Sequence, residues 1–175
     1  MYTFLLIFAA LLSFGSAWFL YCRVAESETV WKTVPREKYI GIVMAVLALI
    51  YGAYHGRYML EGPLESFRPY VWVLLPVVSV CVFLYLDFIF ARAFGAFLLL
   101  AGIYFPHAAF SNYVEWRVIL SLNCYVLGTT GLFFIGMPWL FRNLLEKAKN
   151  DRRICMAATL YLIFSGIIFL TFTTI

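Results

Sequence analysis

Apolar residues run along this chain in long, nearly unbroken stretches separated by short charged ones, rather than at the helical period that marks the surface helices of a soluble domain. Such runs read as membrane spans, because about 20 apolar residues rising 1.5 Å each cover a hydrocarbon core of about 30 Å. The organising stretch is residues 69–110, apolar almost throughout except for Asp87 and Arg92. As one straight helix it would be roughly 60 Å long, twice the core, so it must fold back on itself. Its two charges lie near its midpoint and put the reversal at residues 86–90, although no Gly or Pro marks a turn there.

The other runs complete a set of six expected spans, about 3–22, 39–58, 69–86, 90–106, 118–141 and 154–174. The fold class that follows is an all-α integral membrane protein, one bundle of six transmembrane helices with short loops. Gly15, Ser16 and Ala17 resemble a signal cleavage site, but no Lys or Arg precedes the first run, which is therefore expected to stay as a span. Pro76 should kink or unwind the third span, and Pro106 and His107 should end the fourth. Small residues recur at steps of three, four or seven in the second span (Gly41, Ala45, Ala48, Gly52, Gly56), the fourth (Ala91, Gly95, Gly102) and the fifth (Ser121, Cys124, Gly128, Gly131). Each pattern predicts a face that another helix can approach closely.

Charge decides the topology. Of the 13 Lys and Arg, ten fall in the connections after the first, third and fifth runs and three in the other two. Positive charge marks the cytoplasmic side, so both termini are expected outside it, in a plasma membrane or bacterial inner membrane. Had residues 69–110 crossed only once, the two sides would carry about five and seven and the bias would vanish. The net charge of +4 is accounted for by this orientation and gives no ground for nucleic acid as a partner. With 65% hydrophobic and 13% charged residues, against about 25% charged in soluble domains, there is no length left for a soluble domain.

Candidate chemistry is sparse. Cys22, Cys81, Cys124 and Cys155 show no metal-ligand spacing and read as packing residues. His55 and His107 lie on different helices at one expected depth near the outer face, as bis-histidine haem b ligation requires, with Arg57 and Arg68 near enough in sequence to meet propionates. An interfacial, hydrogen-bonded role is the simpler reading of each. Glu61 and Glu115, with Arg57, Glu65, Arg68 and Arg117, form an outer rim of charge. Asp87 and Arg92 read as a structural pair holding the hairpin, and the basic stretch 142–153 as a place for anionic head groups. Asn123, Ser121, Thr129 and Thr130 are the polar groups of the fifth span, available for interhelical hydrogen bonds or for a solute path.

With no HExxH and no Ser-His-Asp order, the expected role is non-enzymatic: a subunit or scaffold packing in the lipid bilayer with itself or with other membrane subunits. The alternatives are a transporter or channel for a small solute or ion, lined by Asn123, Thr129 or Thr130, and a haem b electron carrier at His55 and His107. A lipid-directed enzyme would need a groove near His55, Glu61 and Glu115.

Overall fold

The computed structural model describes residues 2–24, 34–56, 62–67, 69–85 and 87–174, and among these there are helices and short turns but no strand. Seven α-helices are found among the described residues: α1 (Tyr2–Phe19), α2 (Lys38–Gly56), α3 (Tyr70–Tyr85), α4 (Ile89–Ser111), α5 (Arg117–Gly136), α6 (Pro138–Asn150) and α7 (Arg152–Thr174). A π-helical turn, Leu20–Val24, continues α1, and 3-10 turns occupy Val34–Arg36 and Gly62–Phe67. Four helices, α1, α4, α5 and α7, are long and apolar enough to cross a membrane, whereas α2 and α3 are apolar over shorter lengths.

The helices assemble in pairs. α4 lies against α5, α1 against α7, and α2 against α4, while α3 packs chiefly on α2. Two apolar clusters lie at opposite ends of the bundle and fix the directions of α1, α4, α5 and α7. One holds Leu6 and Ala10 of α1 with Phe105 and Ala109 of α4, Leu120 and Cys124 of α5 and Phe169 and Phe172 of α7. The other holds Leu20 with Ala91 of α4, Phe134 of α5, Phe141 and Leu145 of α6 and Cys155 of α7. Thus α1 and α5 run towards the α6 end and α4 and α7 run away from it. α2 runs parallel to α4, because Gly41 abuts Phe90 at one end and the Tyr51 ring stands 6.4 Å from that of Tyr104 at the other. The chain then returns through α3, which ends only four residues before α4 begins.

Several boundaries differ from the sequence expectation. The fourth run does not stop at Pro106: α4 continues through it to Ser111. A proline removes one rung of the ladder, here the bond to Gly102, and a helix wrapped by neighbours tolerates that loss. α3 is likewise helical on both sides of Pro76. The fifth run ends at Gly136 rather than at 141, and what reads as a basic loop is α6. Pro138 takes the first helical position of α6, where its missing N–H has no partner to lose. Phe141, Leu145 and Ala148, three or four residues apart, face inward, while Lys147 and Asn150 are exposed. The Asp151 backbone N–H closes the end of α6 on the Lys147 carbonyl, and the Asp151 carboxylate accepts the Arg153 N–H at 2.9 Å, capping α7. The turn between α3 and α4 falls where expected, and it is made by Phe88 at φ 57° rather than by a glycine. Arg36 lies over the Phe88 ring, 5.3 Å from its centroid.

Candidate functional site

The best-defined feature of the interior is the seam between α4 and α5. Ala91, Gly95, Gly102 and Ala109 return to one face of α4, and Cys124, Gly128 and Gly131 to the facing side of α5. A methyl group built on Gly95 would stand 2.6 Å from the Gly131 carbonyl oxygen, and one built on Gly131 would press into the Gly95 carbonyl. Further along, a methyl on Gly102 would meet the Cys124 carbonyl and the Gly128 Cα, both at 2.9 Å. The two backbones therefore touch over about two turns of helix, an approach only glycine permits. A second glycine approach joins α2 to α4, where a methyl on Gly41 would lie 2.7 Å from the Phe90 nitrogen. Ala48 is buried further along the same stripe, but Gly52 has nothing within 4 Å of such a methyl, and beside it the Tyr51 and Tyr104 rings meet edge to face between the two helices.

Beside the seam lies a buried polar node. Asn123 of α5, 6% exposed, donates from Nδ2 to the Oγ of fully buried Ser165 on α7 at 3.0 Å. Its Oδ1 accepts the Tyr161 hydroxyl at 3.3 Å. The amide thus ties α5 to α7 through two side chains one turn apart, and in an apolar medium each group would otherwise lack a partner. Asn123 stands out in the sequence. Ser165 and Tyr161 do not, although their spacing of four on an apolar helix was the available signal.

The remaining candidates are dispersed. Thr129 and Thr130 turn their hydroxyls back to the Tyr125 and Val126 carbonyls of their own helix, and Thr129 is exposed on the outside of α5. Ser121 bonds in the same way to the Arg117 carbonyl. Arg92 does not join Asp87. Its Nη1 donates to the Ile135 carbonyl at 3.1 Å, at the C-terminal end of α5 where the helix leaves its last carbonyls free, and no ion pair links it to Asp87 among the described residues. The Arg92 Nε is buried without a partner. His107 is exposed near the end of α4, and its carbonyl accepts the Ser111 hydroxyl. His55 lies in the last turn of α2, at the same end of the bundle, and its side chain falls outside the described residues, as do Glu61, Arg57 and Arg68. Glu115 is exposed in the turn between α4 and α5, beside Arg117, whose guanidinium covers the Phe110 ring at 4.9 Å. Among the described residues no group of three His, Cys, Asp or Glu could hold a metal ion. All four cysteines are free; Cys124 and Cys155 are buried, and the Cys155 thiol reaches the Leu20 carbonyl where α1 passes into its π turn.

Comparison of the chain with protein-family models, with curated proteins and with solved structures finds no match.

Proposed function

We propose that the chain crosses the bilayer six times, α2 and α3 included, with the α6 end in the cytoplasm and both termini outside it, in a plasma membrane or bacterial inner membrane. Within that membrane it serves as a non-enzymatic subunit or scaffold, packing with other membrane subunits or with further copies of itself. One observation carries the reading: Asn123, Ser165 and Tyr161 bond to one another between α5 and α7, while the α2–α3 pair turns a broad apolar surface outward. On α3 alone Trp72, Val73, Leu74, Val77, Val80 and Leu84 are exposed. Lipid accepts such a surface, and so does another membrane helix. The eight basic residues of the described α6 end, Arg36, Lys38, Arg92, Arg142, Lys147, Lys149, Arg152 and Arg153, support the orientation.

Cross-linking through cysteines placed along α3, followed by native mass spectrometry of the detergent-solubilised protein, tests the role. A discrete oligomer or complex joined through the α2–α3 surface is the expected result. A strictly monomeric protein that moves a solute across proteoliposomes in an Asn123-dependent manner would replace the scaffold reading with transport.

A further inference from the structure

The α6 end gathers cationic side chains that no ion pair neutralises among the described residues. Arg142 and Lys149 stand seven residues apart and so share one edge of α6, and Arg152 and Arg153 follow in the first turn of α7. Arg36, in the 3-10 turn that packs on α6, already faces the Phe88 ring. Among the described residues none of the five cations on α6 and α7, Lys147 included, is held in an ion pair; Glu146, one turn from Arg142, does not pair with it. Arg142 is half-buried, and its Nε is shut off from water with no hydrogen-bond partner. Its outer nitrogens, Nη1 and Nη2, make no hydrogen bond among the described residues, and such a pair matches two oxygens of a phosphate, which a point-charge ammonium does not.

The helix that carries this edge is suited to the head-group layer. Its inner face, Phe141, Leu145 and Ala148, is buried against the bundle, while Met137, Trp139 and Leu144 remain exposed on its flanks. A helix with this division of polar and apolar faces lies in the plane of the interface, at the depth of lipid phosphates. Basic residues on such a helix attract anionic lipid. We infer that the Arg142–Lys149 edge of α6 binds the phosphate of an anionic phospholipid, Arg142 gripping two oxygens and Lys149, Arg152 and Arg153 supplying the attraction that selects a charged head group. The inference rests on the placement of the chain in a bilayer and is independent of the scaffold role, so native mass spectra of the oligomer and of bound lipid fail separately.

The full chain in neutral detergent, titrated with phosphatidylglycerol or with phosphatidylcholine of the same acyl chains, gives the test, read as lipid retained in native mass spectra and as the thermal unfolding midpoint. Phosphatidylglycerol should be retained in preference and should raise the midpoint further. The rim substitutions Lys149→Gln and Arg153→Gln should weaken retention about five-fold per charge removed. Arg142→Lys, which keeps the charge and loses the fork, should weaken it as well, whereas Arg117→Gln at the opposite end should leave it unchanged. Equal retention of phosphatidylcholine would overturn the inference, as would full retention of phosphatidylglycerol by the Lys149→Gln, Arg153→Gln double variant. So would an equal loss in Arg117→Gln. If inorganic phosphate alone reproduced the whole shift, the edge would be a free-anion site and the lipid assignment would fall.

Discussion

The α4–α5 and α2–α3 pairs are both helical hairpins of apolar sequence, and they are built in opposite ways. In α4–α5 the helices are 23 and 20 residues long and meet through opposed glycines, backbone on backbone. In α2–α3 they are 19 and 16 residues long, the one close glycine approach among the described residues runs sideways from Gly41 to α4, and most large described side chains of α3 face outward. Without a hydrophobic drive between helices in lipid, association comes from close van der Waals contact and hydrogen bonds. The first pair has both kinds of contact, through its glycines and through the bond from Arg92 to the Ile135 carbonyl, and Asn123 beside the seam ties α5 on to α7. The second pair is attached to the bundle along one side of α2 and leaves the surface of α3 for whatever surrounds it.

Substitutions that break this contrast should rank by how directly they touch backbone. Gly131→Ala places a methyl against the Gly95 carbonyl and 2.9 Å from the Leu99 nitrogen, neither of which can swing aside, and should cost about 3 kcal/mol, the upper part of the usual range for overpacking. Unfolding in detergent, followed by heat or by SDS titration, would show it. Gly41→Ala should cost about 2 kcal/mol and loosen the α2–α3 pair from α4 while leaving α4–α5 closed; pairwise cysteine cross-linking separates the two effects. Asn123→Leu leaves the Ser165 and Tyr161 hydroxyls without their partner and should cost about 1–2 kcal/mol, read from the same melts. Gly52→Ala, with open space at its Cα, should change stability by less than about 0.5 kcal/mol. If Gly52→Ala proved as damaging as Gly131→Ala, the stripe on α2 would be a working interface with a partner outside this chain.

Much of this was legible in the sequence because length and small-residue spacing are one-dimensional signals. The reversal at 86–90, the glycine faces of α4 and α5 and the place of Asn123 among the few polar groups of the fifth span all follow from counting residues along apolar runs. Other features were not legible, each for a physical reason. The break at Gly136 lies inside a run that hydropathy treats as continuous, and only the proline at 138 and the inward spacing of Phe141, Leu145 and Ala148 betray α6. Gly52 has the same spacing as Gly41, and what separates them is the bulk of Tyr51 and Tyr104, which belongs to the tertiary arrangement. Arg92 sits five residues from Asp87 and suggests a local pair, yet a carbonyl 43 residues away, at the C-terminal end of α5, claims it. The partners of Asn123 are likewise a fact of folding, since nothing in α5 points to Tyr161 or Ser165.

The six-span proposal requires that α3, shorter than the four helices long and apolar enough to cross a membrane, crosses it as well. Its two ends carry exposed residues, Glu65 just before it and Asp87 just after. In a background without the native cysteines, Glu65→Cys and Asp87→Cys can be treated in intact cells with an impermeant maleimide, before and after permeabilisation. The six-span account predicts that Glu65→Cys labels at once and Asp87→Cys only after permeabilisation. Labelling of both from the same side would mean that α3 turns back without crossing, and the span count and the orientation drawn from charge would fall with it.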